Sequence, residues 1–319
     1  MVHPLIHLLV WSLTILIIPV MVILTTAAGP TRDFVATTLQ MVWIPAVVSL
    51  VGVAILRIIV LLSCFGLDNL DYSKLIDLKR DRLGNLPYGE PIYECRTRGQ
   101  VALTFDDGPY KYTEDLLNIL KAAKVNATFF ITGSNLEKGA IDNPDLPWAS
   151  LIRRMDREGH QIATHNWANP NIDIFPDSLR RQEIHRLEYA FSKILGKIPT
   201  YIRPPTYTRP PDSSCGNSCL ATLKELGYHV VYFDLDTEDY THNLVGQIEG
   251  SIQIALERIY GTNPKKSSIL SIAHDIYQRS VTMLTIEMLK AIKAKGFEGV
   301  TVGKCLGDSP SNWYRNVVV

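Results

Sequence analysis

The sequence predicts an α/β protein with parallel strands, preceded by a hydrophobic N-terminal region. Two observations predict this arrangement. From about residue 94 to residue 305, short apolar runs alternate with amphipathic helical stretches. This order is typical of a parallel sheet, either an open doubly wound sheet or a barrel. By contrast, the first 67 residues contain only Arg32, Asp33 and Arg57 as charged residues and are otherwise strongly apolar.

Two apolar stretches in this N-terminal region, residues 4–28 and 41–67, are each long enough to span a bilayer. A cleaved signal peptide is the alternative for the first stretch, although it lacks a basic start and its apolar run is long for that purpose. A helix lying at the membrane interface is the alternative for the second. We expect one or two membrane spans in residues 1–67, and then three further regions: a linker over 68–93, the α/β domain over 94–308 and a tail over 309–319.

The charge balance of the whole chain limits which classes of partner are expected. The 32 Lys and Arg residues equal the 32 Asp and Glu residues, so the net charge is zero. Nucleic acid is therefore not expected as a partner, because phosphate binding needs a basic excess. No Gly-rich phosphate loop follows the first apolar run, which argues against a nucleotide.

Seven apolar runs bounded by turn residues predict strands. They are Val101–Phe105, Ala127–Ile131, Gln161–Thr164, Tyr201–Ile202, Val230–Phe233, Ile269–Ala273 and Gly299–Val302. Helical spacing of apolar residues predicts a helix over Asp177–Leu195 and another over Val281–Ala294. Gly296 is expected to cap the second helix at its C-terminus.

Polar segments follow several of these strands, which is where parallel α/β architectures place active sites. The segments are Asp106-Asp107-Gly108-Pro109, His165–Pro170, Arg203–Thr206 and Asp236–Tyr240, and the sixth strand itself ends in Leu270–Asp275. Adjacent carboxylates in a closed site favour a metal ion, since both cannot ionise cheaply without one. Each segment by itself is weak evidence for an active site, because Asp-Asp-Gly-Pro is usually a solvated turn and a lone histidine at a strand end is usually structural.

In this order, the five segments resemble the motifs of the NodB-like polysaccharide deacetylases, carbohydrate esterase family 4. Asp106-Asp107 lies in a TFDDGP motif, and His165 begins a segment like H-T/S-x-x-H. The other three matches are Arg203-Pro204-Pro205 to RPPY, Asp236–Tyr240 to DxxDW and Leu270–His274 to L-x-x-x-H. The resemblance implies a distorted (β/α) barrel of the NodB-homology type, a divalent metal (Zn²⁺, with Co²⁺ as the alternative) and hydrolysis of N-acetyl groups on a glycan.

The cysteines and their neighbours are similar to those of fungal chitin deacetylases. That similarity implies disulfides Cys95–Cys305 and Cys215–Cys219, with Cys64 left over in the apolar region. The alternatives are reduced thiols or a zinc site, although no second ligand pair lies at a suitable spacing.

Disulfides require an oxidising compartment. We therefore expect a membrane-anchored protein whose domain lies in the secretory lumen or outside the cell and acts on chitin or another N-acetylglucosamine glycan. The basic residues after residue 67 suggest the opposite orientation by the positive-inside rule. Asn126-Ala127-Thr128 is a glycosylation sequence, but its position at a predicted strand argues against its use.

The resemblance also implies roles for individual residues. Asp107, His165 and Asn169 would hold the metal, and Asp106, oriented by Arg203, would be the general base. His274 would be the general acid, with Asp239 setting its tautomer. The oxyanion would rest on the metal and on the backbone N–H near Thr206. The other candidate substrate contacts are Trp167, Tyr207 and Tyr240, with core packing as the alternative for each.

Three positions depart from the family pattern. Thr206 replaces a tyrosine, Tyr240 replaces a tryptophan, and Asn169 stands where the family usually has a second metal histidine. An amide oxygen is a poorer zinc ligand than imidazole. Two functions therefore remain, a metal-dependent chitin deacetylase or a carbohydrate-binding pseudoenzyme. The survival of the other polar motif residues favours the enzyme.

Overall fold

The computed structural model of the protein describes residues 73–76, 78–205, 215–244 and 246–317. These residues belong to one compact unit, residues 70–319. The two predicted membrane stretches, Cys64, Thr206 and Tyr207 lie outside the described residues. Within the part of the chain that is described, no helix is long and apolar enough to cross a membrane.

Twelve short strands are found among the described residues: β1 Pro91–Ile92, β2 Gln100–Ala102, β3 Thr104–Asp106, β4 Thr128–Ile131, β5 Gln161–Thr164, β6 Lys197–Pro199, β7 Tyr201–Ile202, β8 His229–Val231, β9 Leu235–Asp236, β10 Ile269–His274, β11 Glu298–Val300 and β12 Tyr314–Asn316. The α-helices are α1 Ser73–Ile76, α2 Thr113–Ala123, α3 Trp148–Arg157, α4 Asp177–Leu195, α5 Asn217–Glu225, α6 Ile248–Gly261, α7 Thr285–Lys295 and α8 Val302–Cys305. A π-helical segment, Ser280–Leu284, leads into α7.

The predicted alternation of strands and helices is confirmed. Helix α4 has the bounds that its apolar spacing predicts. Gly296 ends α7 in the left-handed conformation, with φ of 80°, as expected for a C-cap. One predicted strand, Val101–Phe105, is divided at Leu103 into β2 and β3, because β10 pairs with β2 through Ile269 and Leu270 and with β3 further along.

Ten of the strands form a parallel sheet in the order β1-β8-β7-β5-β4-β3-β10-β2-β11, with β9 also paired to β10. From β9 the pairing therefore passes through β10, β3, β4, β5 and β7 to β8. The other end of that path, β8, is joined to β9 by only Tyr232–Asp234.

This short connection requires the sheet to curl. Seven strands laid flat would separate the end strands by roughly 29 Å, from six spacings of about 4.8 Å. Three connecting residues span at most about 14 Å. The strands therefore wrap into an incomplete barrel, with a seam between β8 and β9 that no backbone ladder closes in the described residues.

The curled sheet is buried on both of its faces. All residues of β4 and β5 are buried, as expected for parallel strands covered by helices. Helix α2 buries Leu116, Leu117 and Leu120 against the sheet. The sheet and its helices thus form a rigid support whose strand ends carry the polar segments.

Both flanks of the domain are integrated into it. In the segment predicted as a linker, β1 pairs with β8, Leu86 is buried, and Arg80 forms a two-point ion pair with Glu188 on α4. In the segment predicted as a tail, β12 pairs antiparallel with β6. Residues 78–92 and 313–317 are therefore part of the folded unit.

The two disulfides implied by the resemblance are confirmed: Cys95 is bonded to Cys305, and Cys215 to Cys219. The first joins residues 210 positions apart, so it links the chain entering β2 to α8. In the chain-entropy model, closing a loop of that length stabilises the fold by about 5 kcal/mol.

Candidate active site

A single cleft collects the polar side chains that follow the parallel strands. It contains about 820 Å³ of empty space, part of it open to solvent. The residues that line it are Asp106, Asp107, His165, Asn169, Arg203, Pro204, Pro205, Phe233, Asp236, Tyr240, Ile272, His274 and Tyr277. Residues from all five sequence motifs thus meet at the carboxyl ends of the strands.

Asp106 ends β3 and is held by Arg203. Its Oδ1 accepts a hydrogen bond of 2.7 Å from Arg203 Nη1, and both side chains are buried. Burial raises the pKa of Asp106, and the positive charge of Arg203 opposes that rise. The other oxygen, Oδ2, has no hydrogen-bond partner among the described residues. The carboxylate therefore has one fixed oxygen and one available for a ligand.

Arg203 is fixed in turn by neutral acceptors from several strands. Its Nε donates to the Val231 carbonyl at 3.1 Å, and Nη2 donates to the Tyr232 carbonyl at 2.9 Å. Nη1 also donates to Thr104 Oγ1 at 2.7 Å, and the guanidinium lies over the Phe130 ring at 4.1 Å. With every donor nitrogen engaged, the guanidinium has one orientation, and that orientation determines the position of Asp106.

Asp107 has an unusual backbone conformation. Its φ of 75° is in the left-handed region, which is uncommon for a residue other than glycine. Lys138 supports this turn, because its Nζ donates to the carbonyls of Asp107 and Gly108 at 3.1 Å each and to Thr132 Oγ1 at 2.9 Å. The turn thereby directs the Asp107 carboxylate toward the cleft.

The Nε2 atom of His165 faces both carboxylates. Its Nδ1 donates to the Arg203 carbonyl at 2.7 Å, which leaves Nε2 without a proton in the neutral ring. Nε2 lies 3.6 Å from Asp107 Oδ1 and 3.9 Å from Asp106 Oδ2. Burial lowers the pKa of His165 to about 4, so the ring is neutral at neutral pH. Two carboxylate oxygens and the unprotonated ring nitrogen of His165 thus face one another.

This set of donor atoms fits a divalent cation. Imidazole nitrogen and carboxylate oxygen are common ligands of Zn²⁺. No three His, Cys, Asp or Glu side chains in the described ranges form a metal site on their own, and Asn169 is the candidate third ligand beside Asp107. Its Nδ2 lies 2.8 Å from Asp107 Oδ1. A 180° rotation of the amide exchanges nitrogen and oxygen, so the same side chain can present its oxygen.

On the neighbouring strand, His274 is paired with Asp239. His274 Nδ1 lies 2.7 Å from Asp239 Oδ1, and the His274 backbone N–H donates to Asp239 Oδ2 at 2.7 Å. Burial by itself lowers the pKa of His274, but the charge and hydrogen bond of Asp239 raise it to about 10. The imidazole is therefore protonated at neutral pH and can donate through its second nitrogen.

The predicted substrate-binding aromatics differ in position. Tyr240 lines the cleft with 44% of its surface exposed, and its ring meets His274 edge-on at 5.8 Å. By contrast, the ring of Trp167 packs against Gly133 and lies under the Arg186 guanidinium at 3.9 Å. These contacts favour the core-packing alternative for Trp167.

Two further residues at the site were not predicted from the sequence. Tyr277 lines the cleft and lies 5.8 Å from the His274 ring. Lys138 is buried behind the Asp106–Asp107 turn. Tyr277 lies in a bend three residues after His274, so its closeness in the chain could have suggested its proximity. No local signal marks Lys138, because it lies 31 residues after Asp107 in the chain.

Comparison with known proteins gives the same assignment as the motifs. The family model described as polysaccharide deacetylase matches residues 93–231. The chain is 38% identical over 237 residues to a chitin deacetylase of Pestalotiopsis sp, covering 74% of each chain. It is 37% identical over 233 residues to the chitin deacetylase of Colletotrichum lindemuthianum, covering 72% of this chain and 88% of the relative.

The fold agrees with these sequence relationships. The solved structure of the Colletotrichum lindemuthianum chitin deacetylase superposes with a TM-score of 0.68 at 35% identity, over 73% of this chain and 99% of that one. The mostly parallel sheet, the five motif segments and the relatives all agree. The chain therefore belongs to the polysaccharide deacetylase family of hydrolases.

Proposed function

We propose that the protein removes N-acetyl groups from N-acetylglucosamine residues of chitin or chitooligosaccharides, releasing acetate and leaving a free amine. The observation that carries this proposal is the juxtaposition of a base and an acid. In the ladder between β3 and β10, His274 is the direct partner of Asp106. Paired residues of adjacent strands project from the same face of a sheet, so the two side chains enter the cleft together.

Hydrolysis of an amide by water needs both groups. Asp106, kept in place by Arg203, would take the proton of the attacking water on its free oxygen, Oδ2. His274, kept protonated by Asp239, would give a proton to the departing amine. The two carboxylates would thus have different tasks: Asp106 would carry a proton during the reaction, and Asp239 would orient the imidazole.

A divalent metal would be held by Asp107, His165 and Asn169, and Zn²⁺ or Co²⁺ suits these ligands. When bound, such an ion lowers the pKa of water and polarises a carbonyl group. The side chains contribute position and charge. Lys138 holds the Asp107 turn, and the Arg203 carbonyl fixes the tautomer of His165.

The glycan substrate is inferred from the relatives and from the shape of the site. Two relatives, each matched over more than two thirds of this chain, are named chitin deacetylases. The cleft is open at one side, and exposed Tyr240 at its rim offers an aromatic face to a sugar ring. The paired cysteines agree with a domain in the secretory lumen or outside the cell, tethered to a membrane if residues 4–28 or 41–67 span one.

A carbohydrate-binding pseudoenzyme is the second candidate, and Asn169 is the observation that favours it. In the structure the Asn169 amide donates to Asp107 Oδ1, the oxygen that faces His165. An amide held in that way would satisfy the carboxylate without a metal and would leave the cleft able to bind sugar only.

Measuring acetate release and metal content on the same sample distinguishes the two functions. The full chain is incubated with chitin oligomers with and without added Zn²⁺ or Co²⁺, and acetate, bound metal and oligomer affinity are measured. A deacetylase releases acetate in a metal-dependent way and loses it in the His274→Ala variant. Oligomer binding without acetate release under every metal condition would instead establish the pseudoenzyme.

A further inference from the structure

We propose that Asn126 is an N-glycosylation site, with an oligosaccharide attached to its Nδ2. Asn126-Ala127-Thr128 is the single Asn-X-Ser/Thr sequence in the 319 residues, with X other than proline. This is the acceptor pattern for N-linked glycans. The proposal is independent of the deacetylase function, because Asn126 lies at the amino ends of the parallel strands and the cleft lies at their carboxyl ends.

The structure removes the objection raised by the predicted strand. Helix α2 ends at Ala123 and β4 begins at Thr128, so Asn126 lies in the loop between them and is exposed. Its Nδ2 donates to the exposed backbone carbonyl of Glu158 at 2.8 Å. A glycosylated amide nitrogen keeps one hydrogen, so this bond can persist after attachment.

There is room for sugar beside the acceptor. Asn126 borders a surface depression that is also lined by Val125, Lys121 and Lys124 from the end of α2, and by Glu158 and His160. The apolar stems of the lysines and the half-buried Val125 offer a surface on which the first sugar can rest. A glycan here would cover part of the exposed end of α2.

The position also keeps a glycan away from the cleft. Asn126 precedes β4, whereas the cleft is formed by residues that follow the parallel strands at their carboxyl ends. The four residues of β4, about 13 Å of strand, separate the two ends. An attached oligosaccharide therefore leaves access to Asp106 and His274 unchanged.

The compartment and the folding order agree with the proposal. Two disulfides indicate an oxidising lumen, which is where eukaryotic cells attach N-linked glycans. In the folded protein the Thr128 hydroxyl is buried, accepts from the Val302 N–H at 2.9 Å and contacts Gln161 Oε1 at 3.2 Å. Because the acceptor hydroxyl is engaged after folding, attachment must precede the docking of β4 beside β5.

The transfer is a displacement at the first sugar. The donor is a lipid-linked oligosaccharide diphosphate. A bond forms between C1 of its first sugar and Asn126 Nδ2, and the bond from C1 to the diphosphate oxygen breaks. The lipid diphosphate leaves with the electron pair, and Nδ2 loses one proton to a base of the transferase.

The test is expression of the full chain in a secretory eukaryotic host, followed by intact mass measurement before and after peptide N-glycosidase digestion. Digestion is expected to remove the added mass and convert Asn126 to aspartate. The Asn126→Gln variant is expected to lose the added mass completely, and Thr128→Ser to keep it. Asn118→Gln is the matched control, since Asn118 is exposed on α2 but lies in no acceptor sequence, and it should keep the glycan.

Full-length protein whose Asn126 carries no glycan would overturn the proposal, whether its cysteines are paired or free. Mass lost equally in the Asn118→Gln variant would also overturn it, by showing that glycosylation is not specific to the acceptor sequence. Thermal unfolding of Asn126→Gln, measured in parallel, verifies that the variant is folded.

Discussion

Asp239 holds His274 at two points, through the imidazole and through the backbone. One carboxylate oxygen lies 2.7 Å from Nδ1, and the other accepts the backbone N–H of the same residue at 2.7 Å. Because Asp239 is fully buried, its charge acts on the imidazole with little screening. The pair therefore controls both the direction of the ring and its protonation.

Replacing Asp239 with asparagine should move the basic limb of the pH–rate profile to lower pH. Asp239 raises the pKa of His274 to about 10 against the opposing effect of burial, so the protonated acid is lost only as the pH rises through that value. In Asp239→Asn, burial remains and the largest contribution that raises the pKa of His274 is removed, so that pKa falls, although the charges of Asp106 and Asp107 still oppose the fall. Acetate release measured across pH checks this, and an unmoved basic limb would contradict the acid assignment.

The Asp106→Asn variant should retain metal and lose turnover. The amide keeps the hydrogen-bond acceptor toward Arg203 but cannot take a proton. A general base contributes about 100-fold or more, so acetate release should fall by at least that factor, while metal content measured on the same sample stays at the parent level. Parent-like turnover at normal metal content would remove Asp106 from the role of base.

The Asn169→His variant should bind metal more tightly than the parent. Imidazole is a better zinc donor than an amide oxygen. Even changes to residues that only hydrogen-bond to the metal ligands alter metal affinity by about 10–100-fold. We therefore expect the metal dissociation constant to fall at least about tenfold, with turnover at limiting metal rising. The comparison variant, Asn169→Ala, should bind more weakly than the parent.

Equal metal affinity in Asn169→Ala and the parent would show that Asn169 is not a ligand. An Asn169→His variant that gains metal but releases no acetate from any glycan would support the pseudoenzyme.

Replacing Lys138 with methionine should destabilise the Asp106–Asp107 turn. Methionine keeps most of the stem but removes the Nζ donor from the carbonyls of Asp107 and Gly108. Loss of a buried donor costs about 1–3 kcal/mol, measured as the free energy of unfolding in urea, and metal affinity should fall because Asp107 is less well positioned. Lys121→Met is the control, since Lys121 is exposed and its ion pair with Glu158 is at the surface. Unchanged unfolding and metal binding in Lys138→Met would refute the supporting role.

Removal of Arg80 should destabilise the domain strongly at neutral pH. Arg80 donates to both oxygens of the fully buried Glu188 at 2.6 and 2.9 Å, and leaving such a charge unpaired costs about 3–5 kcal/mol. Burial raises the pKa of Glu188, but Arg80 and His185 lower it to about 2.

The pH dependence of this effect has a definite sign. Because the pKa of Glu188 is lower in the folded state, its ionised carboxylate increases the free energy of unfolding at pH values above its ordinary pKa of 4.5. That contribution is lost as the pH falls through about 2. The difference between Arg80→Met and the parent should therefore shrink on acidification, measured by urea unfolding at several pH values. The neighbouring Lys79→Met, at an 85% exposed side chain, should change little. A pH-independent difference would show that the ion pair is not its source.

The sequence by itself predicted the alternation of strands and helices and the motif residues that line the cleft. The spacing of apolar residues predicts helix α4, and a continuous motif predicts the turn that begins at Asp106. These features depend on neighbours a few positions apart, so a single sequence is sufficient to recognise them. The similarity of the cysteine segments to known enzymes also implied the two disulfides that the structure contains.

Only the tertiary structure decided which of these residues meet. The pairing of His274 with Asp106 depends on the register of β10 against β3, and the support from Lys138 depends on a loop that follows another strand. The structure likewise showed that Trp167 packs against Gly133, and that the segments predicted as linker and tail contribute β1 and β12. Such contacts join residues tens of positions apart. They are determined by the curl of the sheet, which results from all of its strands together.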